Sequence, residues 1–306
     1  MTGTGRNPYS WASDARDEDL LTIPSSALGF LSEYKREPDF EKLRATLSKI
    51  WQESRSKFHV YKCIATFQFL KPRVADHPLY RTLVEELKSE KTGALPVNRV
   101  LELGCCFGTD VRKLMQDGVP ASRIVASDLH AGYWQLGMKL YDDADRIAGV
   151  ETVFGDWAVS PNMSSVAAVA DEDTLPPVDF AAYRAHFSFV VASAILHCLS
   201  EVQIQAFIGN VADVLVPGGT FLGSCVGRVT EGAWMSSGSD QEVGSQTRYL
   251  HSPESLEKLL RRFGFKDVVV EAKSVPSTEG SGNGGEKKSP ADMNHGLRML
   301  FQATRM

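Results

Sequence analysis

The sequence predicts an α/β protein: a mostly parallel seven-stranded sheet with an antiparallel final strand pair, preceded by an N-terminal helical cap. Three observations carry this reading. After residue 96, seven short β-rich runs appear with helical stretches between most of them, the pattern of strands joined by crossover helices. The last two runs have no strong helical pattern between them, which makes them an antiparallel pair. Before residue 96, strand-like alternation is scarce and apolar residues recur at three- and four-residue steps.

The cap, residues 1–96, holds two clear helices. Residues 39–58 place Phe40, Leu43, Leu47, Ile50, Trp51, Ser54 and Phe58 along one stripe. Residues 78–89 form the other, with Pro78 suited to its first turn. Between them, 61–70 is apolar enough for a buried helix or a strand, and Pro72 ends it.

The second region, residues 97–306, supplies strands at 98–103, 123–128, 150–154, 187–193, 219–226, 266–272 and 297–303. Helices are expected at 109–117, 132–147, 201–215 and 253–263. Helix 201–215 carries Val202, Phe207, Ile208, Val211, Val214 and Leu215 on one face and stops at Pro217-Gly218-Gly219. Ser252 and Pro253 read as the N-cap and first position of the last helix. Residues 273–292 are rich in Ser, Gly, Glu and Lys, and read as a mobile loop that buries too little apolar area to order itself.

Composition sets the outer bounds. The chain has 306 residues, 43% of them hydrophobic, and a formal net charge of −5, which excludes wholesale disorder and gives no global attraction to phosphate backbones. No apolar run is long enough for a bilayer, and Met1 to Ser13 lack the apolar block of a signal peptide. Five cysteines without a CxxC point to reduced thiols, and so to a cytoplasmic setting.

The sharpest chemical signal runs from Val100 to Asp110: Glu102, Gly104, Cys106 and Gly108 lie between a predicted strand and a predicted helix. Glycine permits the tight turn and the close approach of a ligand to the backbone, and the helix N-terminus faces that ligand. Asp128, 20 residues beyond Gly108 at the end of the next strand, stands where an acid takes ribose hydroxyls. A dinucleotide is disfavoured: the third glycine of GxGxxG is missing and Glu102 would repel a pyrophosphate. A carboxylate there suits a ligand carrying an ammonium group. The remaining alternative is a strand–turn–helix that binds nothing.

These residues resemble the class I S-adenosylmethionine-dependent methyltransferases, whose first motif is an acid followed by a glycine-rich turn. The resemblance implies a Rossmann-like sheet and S-adenosyl-L-methionine as cofactor. It implies that Asp128 holds the ribose with Leu129 under the adenine, and that Asp156 accepts from the adenine amino group. It departs at Cys106, which stands where the family has its middle glycine. Pro217-Gly218-Gly219 also matches the family's approach to its fifth strand. Segments 57–62 and 127–130 look like fungal secondary-metabolite methyltransferases that esterify carboxyl groups of meroterpenoid intermediates.

Methyl transfer from a sulfonium is an in-line displacement that needs a base only when the nucleophile arrives protonated. Ser193 ends the fourth strand beside the cofactor crevice, and His197 follows it. His197 either serves the substrate, as binder, polariser or base, or caps the following helix. Trp157 either stacks on adenine or packs the core. In the polar stretch 227–251, Trp234, Arg248, Tyr249 and His251 are candidates to line the acceptor pocket, with Arg248 able to clamp a carboxylate; each could equally sit on a solvated loop. No metal is expected, because the adjacent Cys105 and Cys106 lack ligand spacing. The expected partner is a small-molecule substrate, without nucleic acid or membrane. The cap helices could cover the crevice or serve a homodimer interface.

Overall fold

The computed structural model describes residues 23, 28–58, 61–89, 98–159, 178, 180–234, 247–274 and 296–306. Residues 275–292 of the expected mobile loop and 235–246 of the polar stretch 227–251 lie outside the described residues.

The cap contains helices α1 (Gly29–Lys35), α2 (Phe40–Lys57), α3 (Lys62–Ala65) and α4 (Tyr80–Lys88). Asp39 caps α2 by accepting from the backbone N–H groups of Glu41 and Lys42. The undecided segment 61–70 resolves into α3 and a 3₁₀ turn at Gln68–Leu70. Pro78 stands two residues ahead of α4 rather than in its first turn.

The sheet region runs β1 (Val100–Leu103), α5 (Thr109–Gln116), β2 (Ile124–Ser127), α6 (Ala131–Tyr141), α7 (Ala144–Ile147), β3 (Glu151–Thr152), β4 (Phe187–Ser193) and α8 (Glu201–Val214). It continues through β5 (Leu215–Arg228), β6 (Gly232–Trp234), β7 (Arg248–Leu250), α9 (Pro253–Arg262), β8 (Phe265–Ser274) and β9 (Gly296–Arg305). The seven-stranded sheet has the order β3-β2-β1-β4-β5-β9-β8. Its first five strands pair in parallel, while β9 pairs antiparallel with both β5 and β8. The expected sheet, with its antiparallel final pair, is the observed one.

Three local expectations change. The stretch 132–147 is two helices, because Asp142 adopts a left-handed conformation (φ 54°) that ends α6. The Pro217-Gly218-Gly219 turn lies inside β5: pairing with β4 jumps from Phe187↔Leu215 to Phe189↔Thr220, leaving the turn as an excursion in a continuous strand. Val202 is 64% exposed, and Ile204 takes the buried place on α8.

The cap does not pack on the sheet alone. Its aromatic core, including Trp51, Phe69 and Tyr34, merges with Phe107 of the β1–α5 loop and with Tyr133 and Tyr141 of α6. The helical cap is therefore seated on the loop and helix that flank the carboxyl ends of β1 and β2.

Candidate functional site

The order of strands reverses between β1 and β4, and the crevice beyond their carboxyl ends is where open α/β sheets bind ligands. Glu102 sits in β1, one residue before its end, and is 2% exposed. The β1–α5 loop turns through three left-handed residues: Gly104 (φ 70°), Cys106 (φ 52°) and Gly108 (φ 70°). A Cβ at Gly108 would lie 2.6 Å from both the Trp134 ring and the Arg112 guanidinium, so this glycine is required by space as well as by φ. Cys106 holds the same backbone conformation with a side chain, at some cost in strain.

Asp128 organises this loop. Its Oδ2 accepts the Cys106 N–H at 2.8 Å, and its Oδ1 accepts the His130 N–H at 2.9 Å. Each oxygen keeps a further lone pair for a ligand donor. The Asp128 carbonyl accepts the Gly155 N–H at 3.0 Å, which ties the loop bearing Asp156 to it. Asp156 Oδ1 accepts the Ala158 N–H at 2.7 Å. Leu129 is half-buried beside Asp128.

The electrostatics are unusual. Burial pushes the Glu102 carboxyl well above the ordinary carboxylate range, and the charges of Asp110 and Asp128 push it further. Its Oε2 is buried without a hydrogen-bond partner among the described residues. Burial raises Asp110 to about 6, and raises Asp128 as well despite the backbone donors. Three acids, Glu102 and Asp110 buried and Asp128 half-buried, thus surround the β1–α5 loop, and among the described residues no cation offsets the charge at Glu102. That arrangement repels a pyrophosphate and fits a ligand carrying positive charge and hydrogen-bond donors. The residues present therefore fit S-adenosylmethionine, a sulfonium with an ammonium group and a ribose diol.

Other candidates divide. Trp157 is 5% exposed, packs in the sheet core and donates its Nε1–H to Ser127 Oγ at 2.7 Å. Ser193 ends β4 opposite Ser224 of β5. His197 accepts the Val226 N–H on Nδ1 at 3.3 Å, which places the proton of the neutral ring on Nε2 and makes that nitrogen a donor. Trp234 and Arg248 face each other across the β6–β7 pair, both half-buried, and the Tyr249 N–H donates to Leu199 O at 2.9 Å, bringing this hairpin against the segment that carries His197.

His251 is 7% exposed and Tyr249 packs against its ring at 4.9 Å. Its Nδ1 lies 2.9 Å from Ser255 Oγ, which itself donates to Ser252 O, so Nδ1 carries the proton. Nε2 then holds a lone pair without a partner among the described residues, and burial lowers the ring's pKa to about 4.

Three cap residues lie close to this loop or to the neighbouring strands; of these, sequence reasoning named only Tyr61, among the residues that could cover the crevice. Tyr61 brings its hydroxyl within 3.1 Å of His130 Nε2, beside the Asp128 loop. Cys63 faces Cys106 closely enough for a thiol hydrogen bond, which holds the Cys63 thiol below its usual range. Arg73 lines a cleft against the ends of β4 and β5. Cys63 lies in the short helix α3, Tyr61 just before it and Arg73 between two 3₁₀ turns, segments too short for periodicity to mark a residue. Among the described residues no group of three His, Cys, Asp or Glu side chains is arranged to hold a metal, and no helix is long and apolar enough to cross a membrane.

No protein-family model matches the chain. The methyltransferase ausD of Penicillium brasilianum is 27% identical over 199 residues, covering 65% of this chain and 62% of its own length. The methyltransferase trt5 of Aspergillus terreus is 26% identical with the same coverage. The O-methyltransferase phiE of a fungal species is 25% identical over 256 residues, 83% of this chain and 75% of that one. The chain thus matches about three fifths (62%) of the length of ausD and trt5. Among solved structures, a SAM-dependent methyltransferase from Archaeoglobus fulgidus aligns with a TM-score of 0.47 and 13% identity over 80% of this chain and 100% of that one. By sequence, the chain is similar to fungal methyltransferases.

Proposed function

We propose that the chain is an S-adenosylmethionine-dependent O-methyltransferase acting on a small, largely apolar secondary metabolite, and that it methyl-esterifies a carboxylate, in keeping with a meroterpenoid acid. The observation that carries the cofactor reading is Glu102: a buried acid with one oxygen unpartnered, at the base of a left-handed loop. Its relatives support the reaction class, since phiE and a Stereocaulon alpinum relative are both named O-methyltransferases. The bound cofactor would supply an electrophilic methyl on a sulfonium.

The protein's own residues do the rest. Glu102 would hold the ammonium, Asp128 the ribose diol, Leu129 and Asp156 the adenine, and the backbone from Gly104 to Gly108 the methionine part. The cap, seated on Phe107 and Tyr133, would exclude water from the crevice. With Nδ1 accepting the Val226 N–H, the neutral His197 ring has no acceptor on Nε2, in keeping with an acceptor that needs no base. A carboxylate, ionised at neutral pH with a pKa near ~4, needs no base.

A second reading is O-methylation of a phenol, and one observation favours it: His251 carries a buried lone pair on Nε2, the tautomer a base requires. The two separate by product. Incubation with labelled S-adenosylmethionine and a panel of terpenoid acids and phenols should give a methyl label that mild alkali releases as methanol. An alkali-stable ether would establish the phenol reading, and no transfer to any small acceptor would overturn both.

A further inference from the structure

We infer that His130 is a second ribose-binding residue, its Nδ1 pairing with a hydroxyl of the cofactor's sugar while Tyr61 of the cap fixes its ring; this deepens the cofactor reading and rests on it.

His130 occupies the N-cap position of α6, yet its side chain caps nothing there. The ring is committed elsewhere. Its Nε2 lies 3.1 Å from the Tyr61 hydroxyl, and it meets Tyr133 edge-on, with ring centroids 5.8 Å apart at 90°. Phe58 closes the same corner from the cap, because a Cβ at Gly132 would lie 2.1 Å from its ring. The cap residues Phe58 and Tyr61 therefore sit on the first turn of α6, just beyond Asp128.

Two buried polar atoms beside the β1–α5 loop have no hydrogen-bond partner among the described residues: Glu102 Oε2 and His130 Nδ1. The first is the atom assigned to the cofactor's ammonium. The second belongs to a residue whose own N–H donates to Asp128 Oδ1 at 2.9 Å. Nδ1 is the ring nitrogen nearer the backbone, so it stays close to that N–H while Nε2 reaches out to the cap. Asp128, Leu129 and His130 are all half-buried, which puts this edge of the crevice between solvent and core. A polar atom left unpaired in such a place is costly unless a ligand satisfies it.

The chemistry of the ligand follows from Asp128. A carboxylate only accepts, so it takes the donors of a ribose diol and leaves the hydroxyl lone pairs unserved. Burial, and after it the charge of Asp128, push the Tyr61 phenol above its usual range, so its hydroxyl keeps the proton and can donate to Nε2. The neutral imidazole then carries its own proton on Nδ1, a donor for one of those lone pairs. In the other tautomer Nδ1 is an acceptor, which a hydroxyl also satisfies. The pairing with a hydroxyl holds either way.

The test is calorimetry on the full chain with S-adenosylhomocysteine and its 2′-deoxy and 3′-deoxy forms. The wild type should bind both deoxy forms more weakly. An asparagine amide can place a polar atom where Nδ1 stands, and a glutamine amide where Nε2 stands. His130→Asn should therefore keep the wild-type discrimination. His130→Gln should bind S-adenosylhomocysteine about threefold to tenfold more weakly, the range of one neutral hydrogen bond, and lose the same factor of discrimination against one deoxy form. Tyr61→Phe leaves the imidazole in place but free to turn. It should lower that discrimination by less, and it keeps the test open where a His130 variant does not fold. A His130→Gln protein that matches the wild type, or that weakens all three ligands equally, would overturn the inference. So would lost discrimination in His130→Asn, wild-type discrimination in Tyr61→Phe, or a wild type indifferent to both hydroxyls. A wild type that does not bind S-adenosylhomocysteine would overturn the cofactor reading with it.

Discussion

Arg112 and Asp143 form a two-point ion pair with both side chains fully buried: Nε to Oδ2 and Nη2 to Oδ1, each at 2.8 Å. Asp143 Oδ2 also accepts the Tyr34 hydroxyl at 2.8 Å, and Arg112 Nη1 donates to the carbonyls of Phe107 and Gly108. One cluster therefore fastens the cap to the loop that would carry the cofactor. Removing a single member strands a buried charge, so Asp143→Asn should cost about 3–5 kcal/mol of stability. Tyr34→Phe, which deletes one hydrogen bond, should cost about 1 kcal/mol. Denaturant unfolding checks both; equal losses would show that the tyrosine bond is not a separate contribution.

The proposed role of Glu102 sets stability against binding. A buried carboxyl with one oxygen unpartnered is a liability without a ligand, so Glu102→Gln should raise the ligand-free protein's stability at neutral pH by about 1–3 kcal/mol. The same change should weaken S-adenosylhomocysteine at least tenfold. Thermal unfolding with and without the ligand reads both, and a variant destabilised in both states would contradict the assignment.

Asp110 adds a pH signature. Its folded pKa is raised, from 3.8 to about 6, so the folded state binds more protons than the unfolded chain in that window. Its contribution to stability is present below pH 3.8 and is lost as pH rises through about 6. Ligand-free wild type should therefore show a stability decline over that range that Asp110→Asn lacks. A parallel pair of pH profiles would refute it.

Cys63 and Cys106 report on the loop. The Cys106 thiol donates to Cys63 and, with Arg73, holds the Cys63 thiol below its usual pKa. Cys106→Gly, which also relieves a positive φ, should raise that pKa. The pH dependence of iodoacetamide labelling at Cys63, followed by mass spectrometry, measures the shift, and an unchanged profile would mean the two thiols do not interact.

His197 should act as a donor. His197→Gln retains a donor and should keep more turnover than His197→Ala, and activity on an acid should persist at mildly acidic pH. A steep acid-side loss that disappears in both variants would identify a base instead.

Periodicity and turn chemistry were enough to read the sheet strands, the loop glycines and the capped last helix, because each depends on interactions within a few residues. Glu102, Gly104, Gly108 and Asp128 were legible because a strand–loop–helix leaves little freedom in where its residues point. The break at Asp142, the excursion at Gly218 and the exposure of Val202 were not, since each is set by what packs against the segment. The tautomers of His197 and His251 depend on partners 29 and 4 residues away, in elements whose contact only folding creates. Arg73 is the extreme case. It lies in an aperiodic stretch after Pro72, and only the docking of the cap brings it against Ser193 of β4 and Ser224 of β5. Local sequence thus determined the sheet and the glycine-containing β1–α5 loop, while tertiary packing decided the burial and the partners of the charged and titratable groups, because their energies depend on neighbours brought together only by folding.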